Sequence, residues 1–212
     1  MIIMEEVKFT KKEIKVETVN KDWVGDSNSI FKQLGASSHT DKEREENDYY
    51  ATDPKAIDDL FKQEEFSDYI WECASGGGHL VRAMLDYGKK VYSTDLIDRG
   101  WQNKIVDFLK CDKPYNGDII TNPPYKYCTE FILKALELTG NKVAMFLKLQ
   151  TLEGQDRYKK IFKDYPPKTI YVYSKRIQCG KNGVFEGSSA VCYAWFVWEK
   201  NVKTDPVIKW II

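Results

Sequence analysis

From Tyr49 onward, short apolar runs alternate with stretches whose apolar residues recur every three to four positions. Asp53-Pro54 puts a capping side chain ahead of a proline in the first turn and predicts a helix to about Gln63. Residues 67–71 read as a strand running into Gly76-Gly77-Gly78. Leu80, Ala83, Met84 and Tyr87 then share one helical face, with Gly88 as the stop. Residues 90–94 form the next expected strand, ending at Asp95, and 117–121 a third, ending at Asn122-Pro123-Pro124-Tyr125. A helix over 127–138 turns Phe131, Ile132, Ala135 and Leu136 inward, and 142–147, 169–173 and 190–198 are further strands. Alternation of this kind predicts an α/β fold with a doubly wound, mainly parallel sheet. Ligands of such sheets bind beyond the carboxyl ends of the strands. The glycine run, Asp95 and the Asn-Pro-Pro-Tyr tetrapeptide all fall at those ends.

Residues 1–47 have a different character, being highly charged and only weakly periodic. Residues 7–10 and 14–16 alternate and predict a short hairpin, while 33–48 read as a polar loop or arm. The expected organisation is an N-terminal arm over 1–47 and one folded domain over 48–212.

Charge adds an asymmetry that the patterning hides. Lys+Arg and Asp+Glu both total 32. Yet residues 1–106 hold 15 basic and 21 acidic side chains, and residues 107–212 hold 17 and 11, so the halves carry −6 and +6. A positive half on a neutral chain suits a polyanionic partner, although solvated surface lysines give the same count. The five cysteines form no Cys-x-x-Cys pair and there are only two histidines, so no metal site is expected. Scattered, odd-numbered thiols fit a reducing cytoplasm. The first residues carry too short an apolar run for a signal peptide, and no stretch is apolar enough to span a membrane.

Three segments carry candidate chemistry. In Glu72-Cys73-Ala74-Ser75-Gly76-Gly77-Gly78 the glycines permit a tight turn and a close ligand approach. The run has neither dinucleotide spacing nor a phosphate-loop lysine. Asp95, after the next strand, can accept both hydroxyls of a ribose, and Asp107 beside Phe108 can hold an adenine by its amine and its face. In Asn122-Pro123-Pro124-Tyr125 two prolines stiffen the backbone and project an amide, a carbonyl and an aromatic ring. The Asn122 oxygen and the Pro123 carbonyl can together accept both hydrogens of one NH2 group, and the Tyr125 ring can stack on a flat base.

The tetrapeptide after a strand, downstream of Glu-x-Ala-x-Gly-x-Gly, resembles the amino-methyltransferases, above all the adenine-N6 DNA methyltransferases and their small phage-type members. Asp48-Tyr49-Tyr50-Ala51-Thr52-Asp53-Pro54 is similar to that family's N-terminal cofactor segment, with Asp53 inserted where Thr-Pro is usual. Residues 152–154 and 194–198 look like its later segments. The resemblance covers about 48–200 and implies a Rossmann-like S-adenosylmethionine-dependent methyltransferase fold. It implies cofactor contacts from Tyr49, Tyr50, Thr52, Glu72, Ala74, Gly76, Gly78, Asp95 and Asp107, and catalysis by Asn122, Pro123, Pro124 and Tyr125.

The expected activity is methyl transfer to the exocyclic amine of adenine in DNA by direct displacement, without a covalent enzyme intermediate. A target adenine in a duplex must first be flipped out. Phe185 and residues 175–181 are candidate substrate grips, and equally an ordinary surface loop. RNA amino-methylation and protein-glutamine methylation would use the same tetrapeptide. A non-catalytic nucleic-acid-binding module on the same fold is the alternative of another class. No separate target-recognition domain fits between the expected strands.

Overall fold

The computed structural model describes residues 50–181 and 191–212. The hairpin and arm expected over 1–47, together with Tyr49 and Phe185, lie outside the described residues.

The described residues form ten strands and four α-helices, in chain order. They are β1 (Tyr50–Thr52), α1 (Lys55–Phe61), β2 (Tyr69–Glu72), α2 (His79–Asp86), β3 (Lys90–Asp95) and β4 (Lys104–Ile105). Then come β5 (Asp118–Thr121), α3 (Cys128–Leu138), β6 (Lys142–Lys148) and the short α4 (Gln155–Arg157), which continues into a π-helical turn. Finally there are β7 (Thr169–Tyr173), β8 (Cys179–Lys181), β9 (Tyr193–Glu199) and β10 (Val207–Ile211). Eight of the strands form one sheet in the order β10-β7-β9-β6-β5-β2-β3-β4. All neighbours are parallel except β9, which runs antiparallel to both β6 and β7. The α/β doubly wound expectation is met.

The expected elements appear with ends moved by one to three residues. Asp53 does cap α1: its Oδ1 accepts from the Lys55 amide at 2.9 Å. Four strands were not predicted: β4 has two residues, β1 and β8 pair in a separate ladder, and β10 adds a parallel edge beside β7. Each is short or polar-interrupted, so its periodicity is too brief to read. Tyr87, expected inward, is half exposed and instead sets its ring edge-on against Phe61.

Strand alternation splits the core into two layers, one on each face of the sheet. Ala144 and Phe146 of β6, with Trp195 and Val197 of β9, pack beneath α1 and α2. Val143, Met145 and Leu147, with Ala194, Phe196 and Trp198, pack beneath α3. Because both faces are covered, these central strands are buried almost end to end, as a parallel-type sheet requires. Asp118, fully buried at the start of β5, is satisfied by Asn141 Nδ2 at 2.7 Å and the Lys142 amide at 2.8 Å. It anchors the opposite end of the sheet and leaves the carboxyl ends free for chemistry.

Candidate active site

β2 ends at Glu72, and the chain then turns through the glycine run into α2. Gly76 and Gly78 both adopt positive φ, at 50° and 73°, a region that side chains resist. At Gly78 the reason is also spatial, since a Cβ there would lie 2.5 Å from Trp101 Cγ. Gly78 therefore seats Trp101, whose ring carries the Arg82 guanidinium 4.5 Å from its centroid. It does not line the cleft described below.

The turn is held from outside by Gln102. Its Nε2 donates to Ser75 Oγ at 2.9 Å and to the Gly76 carbonyl at 2.7 Å, while its Oε1 accepts from the Arg99 and Trp101 amides. No motif points to Gln102, because its partners lie a full βα unit away in sequence. Asp95 joins the same scaffold, with Oδ2 accepting from the Gly76 amide at 2.8 Å and Oδ1 from the Ile97 amide at 3.1 Å. Each oxygen keeps a further lone pair for a ligand hydroxyl. Asp107 serves locally: it caps the 3₁₀ turn Phe108–Lys110 through Oδ1 and pairs with Lys110 at 3.0 Å.

One cleft gathers Tyr50, Thr52, Glu72, Ala74, Gly76 and Asn122, with Ser75, His79 and Leu80 completing the wall. Glu72 is buried at its floor, and its Oε1 accepts from the Ala74 amide at 3.0 Å and from the Thr121 hydroxyl. Desolvation pushes its carboxyl up to about 8, with the Asp95 charge adding and the two hydrogen bonds opposing. A cationic ligand group entering the cleft would favour the ionised form.

Asn122, on the step out of β5, has its amide orientation dictated by partners some seventy residues away. Nδ2 donates to the Tyr50 carbonyl at 3.1 Å and to Thr52 Oγ1 at 2.9 Å. A carbonyl only accepts, so the nitrogen must face β1. Oδ1 is left buried without a hydrogen-bond partner. Leaving a buried acceptor unpaired costs about 1–3 kcal/mol, and such an oxygen is ready for an incoming N–H donor.

Tyr125 follows as part of an aromatic group. Its hydroxyl bonds that of Tyr193 at 3.1 Å, and its ring lies 6.0 Å from Tyr50 and 6.2 Å from Tyr193. Tyr193 stacks in turn on Phe146 at 5.1 Å. The Lys148 ammonium sits over the Tyr125 ring, 4.3 Å from its centroid. Burial drives the Tyr125 and Tyr193 phenols well above their ordinary range, and the nearby Cys179 thiol up to about 11. Pro123 is buried and Pro124 exposed. Tyr193, Lys148 and Cys179 were not foreseen; each comes from a strand that only folding brings alongside.

Residues 175–181, expected as a substrate grip or equally as an ordinary surface loop, are in part β8, which pairs with β1, the strand that brings Tyr50 and Thr52 to the cleft. Residues 152–154 are wrapped by Arg157, whose Nε donates to the Thr151 and Glu153 carbonyls and whose Nη2 donates to that of Gln150. Among the described residues no helix is long and apolar enough to cross a membrane.

Comparison with solved structures places this geometry in a known architecture. A modification subunit of a type I restriction enzyme from Vibrio vulnificus YJ016 superposes with a TM-score of 0.54 at 9% identity, over 87% of this chain and 50% of that one. The chain thus spans half of that protein. A protein described as a hemolysin from Lactococcus lactis gives a TM-score of 0.51 at 14% identity, over 73% and 89% of the two chains. A class I S-adenosylmethionine-dependent methyltransferase from Listeria monocytogenes gives 0.49 at 12%, over 74% and 62%. No family model matches the sequence, and no curated protein matches it. The strand order gives the chain a Rossmann-like α/β fold, and the two superpositions above 0.5 show that the modification subunit and the Lactococcus lactis protein share it.

Proposed function

We propose that the protein transfers a methyl group from S-adenosylmethionine to the exocyclic N6 amine of adenine in DNA. The observation that carries this reading is the buried, unpartnered Asn122 Oδ1, aimed by two hydrogen bonds from its own Nδ2. An amine is the group such an acceptor takes, and Tyr125 beside it offers a ring for a flat base.

The cleft fits the cofactor by the chemistry of its donors. Glu72 in the cleft would take the α-ammonium, Asp95, bonded to the Gly76 amide beside it, would accept from ribose hydroxyls, and the positive-φ turn at Gly76 would admit a close approach. Bound there, S-adenosylmethionine supplies an electrophilic methyl on a positively charged sulfur. The remaining work belongs to the chain. Asn122 and the Pro123 carbonyl hold the amine hydrogens and so free its lone pair from the ring. With the methyl group delivered there, the electron pair of the broken C–S bond would remain on sulfur, and the amine held by Asn122 and the Pro123 carbonyl would lose one proton to solvent. Positioning and preorganised dipoles supply the acceleration. The +6 balance of the second half favours a polyanion over a protein amide, and the fold shared with a restriction-enzyme modification subunit is in keeping with DNA.

The test is mass spectrometry of DNA digested after incubation with the protein and the cofactor. N6-methyladenine is expected from the wild type and none from Asn122→Ala, while calorimetry shows cofactor affinity within a few-fold of wild type. Methylated cytosine would keep the amine chemistry and overturn the base. Methylation of RNA or of a protein glutamine, with DNA untouched, would overturn the substrate. An Asn122→Ala protein with wild-type turnover would sink the mechanism.

A further inference from the structure

The Tyr125 ring is not open in this structure. Lys148 is the last residue of β6 and stands opposite Tyr193 in the β6–β9 ladder. Tyr193 holds the Tyr125 hydroxyl, and Lys148 lays its ammonium over the same ring at 4.3 Å. One cross-strand pair thus fixes Tyr125 from two sides, by its edge and by its face. A base stacked on that face would lie at van der Waals distance and would need the space the ammonium holds. Resting on the reading of Tyr125 as the stacking platform, we propose that Lys148 is a substrate-contacting specificity residue. Its ammonium covers the Tyr125 face in the free protein, is displaced by the incoming base, and pairs with the phosphate of that same nucleotide.

The exchange is favourable on ordinary magnitudes. A cation–π contact at a partly exposed site contributes about 0.5–1 kcal/mol. Stacking of a base on an aromatic side chain contributes about 1–3 kcal/mol, and the displaced ammonium gains a charge-assisted bond to phosphate. Lysine suits the role because four rotatable methylenes let a compact charge move several ångströms without backbone change. The phosphate arrives with the base that displaces the cation, because it is covalently attached to that base through the sugar. Until then, the ammonium shields the ring from water and disfavours uncharged planar molecules that bring no phosphate with them. The residue therefore selects a nucleotide within a nucleic acid over a free base or a side-chain amide, each of which presents an NH2 group but no adjoining phosphate.

The experiment uses the full chain, S-adenosylmethionine, and genomic DNA free of adenine methylation, with Lys148→Met and Lys148→Arg beside the wild type. Lys148→Met keeps the apolar stem and removes the charge. Its kcat/KM for DNA is expected to fall about 10-fold at 50 mM salt, chiefly through KM. One lost phosphate contact lowers the salt slope by about 0.9, so the gap to wild type should narrow about 3-fold between 50 and 200 mM salt. Lys148→Arg should recover most of the loss, and cofactor affinity should be the same in all three proteins. A Lys148→Met protein with wild-type KM and salt slope overturns the inference, as does a loss that is independent of salt or accompanied by loss of cofactor binding. If the wild type itself methylates no DNA, the proposed function has failed rather than this residue's role.

Discussion

Glu72→Gln isolates the most unusual electrostatic feature of the cleft. Glu72 is buried, and its carboxyl is raised from 4.5 to about 8, chiefly by desolvation. The folded chain therefore binds a proton there that the unfolded chain releases between those two values. A raised folded-state value contributes stability that is complete below about pH 4.5 and is lost as pH climbs through about 8. At 1.36 kcal/mol per unit, Glu72 costs the wild type about 3 kcal/mol at pH 7 and about 5 kcal/mol above pH 8, relative to acid. Glutamine keeps an acceptor for the Ala74 amide and the Thr121 hydroxyl, and it carries no titrating proton. The variant should match the wild type near pH 4.5 and exceed it by about 3 kcal/mol at pH 7. Urea unfolding at pH 4.5, 7 and 8.5 reads this directly, as midpoints that coincide in acid and diverge with pH at unchanged m-value. Two stability curves separated by a constant gap across that range would refute the reasoning, because the difference would then have no proton in it.

Two further outcomes are expected. Tyr125→Phe loses the hydroxyl bond to Tyr193 but keeps the ring, so methyl transfer should fall by less than about 10-fold, in line with one neutral hydrogen bond. Tyr125→Ala, measured in the same labelled-methyl assay, should lose transfer almost completely, and equal activity of the alanine and phenylalanine variants would rule out stacking. Gly78→Ala combines a positive φ with a Cβ 2.5 Å from Trp101, and should destabilise the fold by roughly 1–3 kcal/mol. A melting temperature unchanged from wild type would show that Trp101 is not seated as described.

The sequence by itself determined the architecture and the short-range chemistry. Apolar period along the chain distinguishes helix from strand locally. Two buried sheet faces leave their mark as nearly unbroken apolar runs in 142–148 and 193–199, and the ends of such strands are where glycines and the Asn-Pro-Pro-Tyr tetrapeptide stand. Glu72, Thr52, Gly76 and Asn122 were all legible there, and folding brings them to one cleft. What they do inside it was decided by contacts that cross the chain. The buried Asn122 oxygen is left without a partner because β1 takes the nitrogen. Gly78 makes room for Trp101 and Asp107 caps its own 3₁₀ turn, contacts that neither motif indicated. Gln102, Lys148 and Tyr193 belong to no motif, since their partners lie on other strands or across a βα unit and leave no periodic trace. Local pattern records which face of an element is apolar. Only the packed sheet fixes which polar atoms share a space, and that sharing settles hydrogen-bond direction, proton affinity and the cover over the Tyr125 ring.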